Sequence, residues 1–226
     1  MKSVIYTVFA AAFIVSSAMA APGTAKARGA APKETKPTQA AAPQGNAELG
    51  KEKAASERCV ECHGLDGNGI SVEGKFAKLA GQYPDYILKQ IRDFRSGARK
   101  HDQMAIMARS VEDEDVRDIA AYFSSLPRMN GQGGELHELG KSLFEKGDTA
   151  RGVLACVACH GDKGKGVAGA SLGPVIGGQE WRYLDKQLRD WRAGERRNSA
   201  DGVMNKVTHE LSDKEIEALA DYLSGI

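Results

Sequence analysis

Five consecutive residues, Cys59-Val60-Glu61-Cys62-His63, return later in the chain as Cys156-Val157-Ala158-Cys159-His160. No other feature constrains the fold as strongly. All four cysteines lie in these two stretches, so none is left over for a disulfide. Two thiols one helical turn apart can add to the two vinyl groups of a protoporphyrin, and the histidine that follows then sits under the iron. Cys-x-x-Cys-His is the attachment signature of a c-type haem. The expectation is two covalent haem c groups, held through Cys59, Cys62, Cys156 and Cys159, with His63 and His160 as the proximal iron ligands.

Two plainer chemistries compete for a Cys-x-x-Cys pair. A zinc half-site would need two further soft ligands per site, or all four cysteines gathered into one site. A redox dithiol sits on a strand-to-helix turn, and no βαβ pattern surrounds these motifs. The adjacent histidine and the repeat of the whole pentapeptide favour haem over both.

An export signal points the same way. Lys2 precedes an apolar run from Val4 to Val15, and Ala18-Met19-Ala20 is a small-x-small cleavage site. The run is short for a spanning helix, so residues 1–20 read as a cleaved signal peptide, with an uncleaved anchor as the alternative. Residues 21–46 are rich in Ala, Pro, Lys and Thr and show no hydrophobic period, the composition of a disordered tether. Four cations there, Lys26, Arg28, Lys33 and Lys36, face only Glu34. Peripheral membrane association through this segment is a possible role. The whole chain carries 31 Lys and Arg against 30 Asp and Glu, and loss of Lys2 with the signal brings the net charge to zero. The part expected to fold is then mildly acidic, which excludes a nucleic-acid-binding face.

The repeat extends well beyond the haem motifs. Residues 86–97, Tyr-Ile-Leu-Lys-Gln-Ile-Arg-Asp-Phe-Arg-Ser-Gly, match residues 183–194, Tyr-Leu-Asp-Lys-Gln-Leu-Arg-Asp-Trp-Arg-Ala-Gly. Ile119 to Phe123 match Leu219 to Leu223, and Leu49-Gly50-Lys51 matches Leu139-Gly140-Lys141. The register shifts between these anchors, so the copies differ by insertions near the haem motif and before the late methionine. Two homologous domains follow, 47–127 and 135–226, joined by a Pro-, Asn- and Gly-bearing linker over 128–134.

Each copy reads as short helices joined by glycine-rich loops. Helix one is expected from about Ala47 into the first haem motif, its counterpart from about Leu136. Middle helices open near Pro84 and Glu180, and Ile87, Ile91 and Phe94, matched by Leu184, Leu188 and Trp191, make one apolar face. The last helices carry Val116, Ile119, Tyr122 and Phe123, then Ile216, Leu219, Tyr222 and Leu223. Ser212 and Glu215 form a capping box. No stretch alternates as a strand does, so the expected fold is all-α, two tandem domains each wrapped around a haem. At roughly 80–95 residues per domain, an apolar core alone gives thin stability. The haem should supply much of the core, and the haem-free chain should be largely unfolded.

The iron's sixth ligand decides function. Methionine gives a low-spin electron-transfer centre, whereas an open position binds or activates small molecules. Anchored on Tyr122 and Tyr222, Met104 falls opposite Met204, both in expected loops before the last helix. Met107 is the near rival in the first domain, but it stands opposite Val207 and reads as packing. His101, His137 and His209 read as surface residues, and Trp181 and Trp191 as core or haem-edge packing.

At this point the chain, from about Ala47 to Ile226, resembles the dihaem cytochromes c of the cytochrome c4 type. The resemblance rests on both Cys-x-x-Cys-His motifs, on Leu79-Ala80-Gly81-Gln82-Tyr83 with the Lys89-to-Arg95 helix, and on the late methionines. It implies a periplasmic electron carrier with His/Met ligation at both irons, His63 with Met104 and His160 with Met204. It further implies haems facing each other across a domain interface. Expected partners are redox proteins such as a quinol-oxidising complex, a terminal oxidase or other cytochromes. One departure stands out: Pro174 holds the family's proline position, whose carbonyl steadies the proximal histidine, where the first copy has Ala77. Two rival roles share the motifs: the haem-bearing subunit of an oxidoreductase such as a sulfide dehydrogenase, and a dihaem peroxidase. Peroxidase chemistry needs an iron that can open, against which both domains offer a methionine.

Overall fold

The computed structural model describes residues 45–69, 76–132, 137–167 and 173–226. The expected signal peptide, nearly all of the tether, residues 133–134 of the expected linker and 135–136 at the start of the expected second domain lie outside the described residues. Among the described residues there are ten α-helices and no strand, only an isolated bridge between Asp148 and Val153. No helix among them is long and apolar enough to cross a membrane.

The first half contains α1 (Ala47–Ser56), α2 (Val60–His63), α3 (Pro84–Ser96), α4 (Asp102–Ser110) and α5 (Asp113–Ser125). The second half repeats the order with α6 (Glu138–Lys146), α7 (Val157–His160), α8 (Trp181–Ala193), α9 (Val203–Thr208) and α10 (Asp213–Gly225). Local chemistry explains most ends. Asn46 caps α1 through its side chain, Pro84 occupies the first turn of α3, and the Ser212–Glu215 capping box opens α10. Gly97 and Gly194 close α3 and α8 in the left-handed conformation.

Helix one does not run into the haem motif as the sequence suggested. It stops at Ser56, and Arg58 turns left-handed at φ +61° before α2 begins. That turn breaks the axis, so the haem motif is presented on its own short helix. An Arg58–Glu61 ion pair at 2.8 Å spans the break.

The first and last helices of each half cross at a glycine. A Cβ placed on Gly50 would fall 1.9 Å from the carbonyl oxygen of Asp118, and one on Gly140 would fall 1.9 Å from that of Ala218. The Leu-Gly-Lys repeat is therefore a backbone crossing point. Behind it, Ile87, Ile119, Tyr122 and Phe123 pack one core, and Leu184, Phe144, Ile216, Leu219, Tyr222 and Leu223 pack the other.

The halves meet through a third, smaller core of Ala80, Met129 and Val175. Met129, in the expected linker, is 4 % exposed, so this part of the connection is packed between the domains. Around it, two glutamines cross the interface reciprocally. Gln82 Nε2 donates to the Val175 carbonyl at 2.9 Å, and the Val175 N–H donates to Gln82 Oε1 at 3.0 Å. Gln179 Nε2 donates to the Lys78 carbonyl at 2.9 Å, and the Lys78 N–H donates to Gln179 Oε1 at 2.7 Å.

Candidate haem sites

Each Cys-x-x-Cys-His motif forms a single helical turn, α2 or α7, ended by a glycine. The turn aims cysteines and histidine toward one side. His63 Nδ1 lies 2.8 Å from the Ala77 carbonyl oxygen, and His160 Nδ1 lies 3.0 Å from that of Pro174. A carbonyl can only accept, so each Nδ1 carries the proton and each Nε2 presents a free lone pair. Burial pushes both imidazoles below their ordinary pKa, which keeps them neutral and able to ligate. The alanine in the first copy therefore makes the same contact as the proline in the second.

Burial also pushes the Cys59 and Cys156 thiols up to about 11. A redox dithiol needs the opposite shift, since the thiolate is its reactive form. Among the described residues, no group of three or more His, Cys, Asp or Glu side chains converges as a metal site. The raised thiol pKa values leave the redox dithiol's requirement unmet.

In the same crevice as His63, α4 supplies thioethers. Cys59, His63, Met104 and Met107 line one crevice together with Leu79, Ile87, Ile91 and Phe123. It encloses about 500 Å³ of atom-free space, part of it open to solvent, and its walls are almost wholly apolar. Met104 stands on a helix rather than in the loop expected from the sequence. His101 explains this: its Nδ1 accepts from the Met104 N–H at 3.3 Å and caps α4, while its ring meets Phe94 edge-on at 6.4 Å between centroids. Met204 likewise sits on α9, where Ser199 Oγ accepts its N–H at 3.1 Å. Asn205 ties α9 down by donating to the carbonyls of Trp191 and Arg196 at 2.7 and 2.8 Å. His137 and His209 are exposed. Trp191 is buried as expected, but Trp181 starts α8 at the surface with 36 % exposure and is no core residue.

Sequence reasoning missed two arginines. Arg99 and Arg196 are 8 % and 6 % exposed, and neither makes an ion pair with a carboxylate among the described residues. Arg99 donates to Gln90 of its own domain and to the Tyr183 hydroxyl and Gln187 of the other, each at 2.8 Å. Arg196 donates to Gln187 at 2.7 Å and across to Tyr86 and Gln90 at 3.2 and 3.1 Å. Their guanidiniums also stack on Phe94 and Trp191, at 4.7 and 4.3 Å from the ring centroids. A signal was present: each arginine follows its glutamine by nine residues in both copies of the repeat.

Buried cations without carboxylates are costly unless something anionic completes the site. A porphyrin bearing two thiol-reactive vinyls and an iron fits this donor set: two thiols and a bare imidazole Nε2 in each domain and, in the first, thioethers on the same apolar walls as the histidine.

The family model for cytochrome c matches residues 47–127 and again 137–226. Cytochrome c4 of Pseudomonas aeruginosa is 41 % identical over 184 residues, 80 % of this chain and 89 % of that protein. A thiosulfate dehydrogenase electron acceptor of Stutzerimonas stutzeri is 37 % identical over 176 residues, 76 % of this chain and 80 % of its own length. The crystal structure of reduced recombinant cytochrome c4 from Pseudomonas stutzeri superposes with a TM-score of 0.74 at 40 % identity, over 80 % of this chain and 99 % of that one.

Proposed function

The chain belongs to the cytochrome c family and, within it, to the dihaem cytochromes of the c4 type; on that premise we propose that it carries electrons between redox proteins of a respiratory chain in the periplasm, with histidine and methionine on each iron. It is an electron-transfer cytochrome bearing two covalent haem c groups. The haem supplies one-electron exchange between ferrous and ferric iron.

The observation that carries the proposal is the crevice in which Cys59 and His63 share walls with Met104. Cys59, Cys62, Cys156 and Cys159 tether the two groups, while His63 and His160 bind from one side through Nε2. Met104 and Met204 would supply the second protein ligand to each iron. A methionine held there would leave no place for a substrate, which argues against peroxidase chemistry. The apolar walls would exclude water from the haem, and the buried guanidiniums of Arg99 and Arg196 would be available to offset the charge of the haem carboxylates. Met107 shares the crevice with Met104, and its counterpart is Val207, so its role is packing.

Export through the signal at residues 1–20 places the protein in the periplasm, where the 21–46 segment can act as a tether at the membrane surface. Quinol-oxidising complexes, terminal oxidases and other cytochromes are the partners this chemistry suits. The likeness to a thiosulfate dehydrogenase electron acceptor supports a second reading, in which the same two haems accept electrons as a subunit of an oxidoreductase. Rapid reduction by such a dehydrogenase and its substrate, with co-purification, would select the second reading.

A pyridine haemochrome assay with intact mass should give two covalent haems on an exported chain. Ferric spectra should show the methionine–iron charge-transfer band, halved in Met104→Ala and halved in Met204→Ala. A high-spin haem in the wild type, or an undiminished band in Met104→Ala, overturns the ligand assignment.

A further inference from the structure

The carbonyl that holds each proximal histidine belongs to a peptide group whose other end is held by the opposite domain. Ala77 C=O and Lys78 N–H are two ends of one planar, conjugated peptide unit. Its oxygen faces His63 Nδ1 at 2.8 Å, while its N–H donates to Gln179 Oε1 at 2.7 Å. In the second domain, the Pro174 oxygen faces His160 Nδ1 at 3.0 Å, and the Val175 N–H donates to Gln82 Oε1 at 3.0 Å. Both glutamines are 4 % exposed. The orientation of each amide is dictated by its neighbours. Gln82 Oε1 also receives the Tyr83 N–H at 3.1 Å, and Gln179 Oε1 also receives the Glu180 N–H at 2.9 Å, while each Nε2 faces a carbonyl.

We infer that Gln82 and Gln179 are positioning residues that each tune the proximal histidine of the other domain. This rests on reading His63 and His160 as iron ligands. A hydrogen bond accepted from a peptide N–H polarises that peptide and makes its carbonyl a stronger acceptor, since bonded chains reinforce one another at low dielectric. The stronger acceptor draws on the Nδ1 proton, gives the imidazole more anionic character and raises its basicity toward the iron. A more basic ligand favours the ferric state and lowers the potential. The interface thereby acts on both redox centres, with each domain's glutamine acting on its partner.

The test is a redox titration of the dihaem protein, followed through resolved haem resonances in proton NMR. Gln82→Met removes the acceptor from Val175. It should raise the midpoint of the haem on Cys156 and Cys159, a severalfold change in that centre's one-electron equilibrium, and leave the haem on Cys59 and Cys62 in place. Gln179→Met should give the mirror image. The Nδ1 proton of the crossed histidine should move upfield in the reduced protein, reporting its weaker hydrogen bond. Gln82→Glu restores an oxygen acceptor and should return the potential to the wild-type value or below it. A shift confined to the variant's own domain, an equal shift at both haems, no shift, or Met and Glu variants moving alike overturns the inference; the last is what a mere packing defect would produce. Should Gln82→Met fail to mature, Gln179→Met and Gln179→Glu make the same test from the other side. Failure of the ligand reading looks different, because the wild type would then lack two low-spin histidine–iron signatures.

Discussion

The Arg99 guanidinium of the first domain donates to the Tyr183 hydroxyl of the second at 2.8 Å, in a buried site where no carboxylate among the described residues bonds to it. Together with Arg196, which reaches Tyr86 in the reciprocal direction, it puts two positive charges at the domain interface. Positive charge near an iron centre disfavours the more positive ferric state. Arg99→Met should therefore lower haem potential, the opposite sign to Gln82→Met, and potentiometric titration of the two variants checks it.

The Ala77 and Pro174 carbonyls make the same contact, so the proline ring is dispensable for holding the histidine. Pro174→Ala should leave the methionine–iron band unchanged. It should lower stability by about 0.4–1 kcal/mol, because alanine gives the unfolded chain more freedom to lose. Denaturant unfolding alongside ferric spectra tests both parts.

Gly50 should tolerate no side chain. With a Cβ 1.9 Å from the Asp118 carbonyl oxygen, Gly50→Ala must push α1 off α5. Overpacking of this kind costs about 1–3 kcal/mol or more. The expected outcome is a clearly lower thermal midpoint, with Gly140→Ala behaving alike in the second domain.

Acid should loosen the second domain through one carboxylate. Arg151 beside Glu215, with the Ser212 bonds that complete the cap, holds the Glu215 carboxyl down to about 2. A depressed folded-state pKa means that this stabilisation is present above the unfolded value, near 4.5, and is lost as pH falls from there toward 2. Glu215→Gln should remove that part of the acid dependence, seen in unfolding curves taken across the window. The partly exposed Arg151 makes the effect modest and salt-sensitive.

The haem-free chain should be largely unfolded. Its apolar crevice walls are left without the group that would fill the space between them. A cooperative, near-native far-UV melt of haem-free protein would refute this.

The haem motifs, the paired middle and last helices and the Ser212 cap were legible because each depends on residues close together in the chain. Attachment chemistry needs two thiols and a histidine within one turn, and a buried helix face repeats every three or four residues. The break at Arg58 was not legible, since neither glycine nor proline marks it; an arginine takes the left-handed conformation there. The short methionine helices were hidden because a histidine capping α4 and a serine five residues before Met204 are weak signals. Lys78, Gln82, Val175 and Gln179 carried no signal of partnership, because the chain separates each pair by about a hundred residues.

The sequence by itself thus determined the cofactor and the duplicated all-α architecture, since covalent chemistry and helical periodicity are local. Only the tertiary structure decided how the two halves are joined. Hydrogen bonds between glutamine amides and distant peptide groups, and the burial of two cations, depend on which surfaces meet, and no local pattern encodes that meeting.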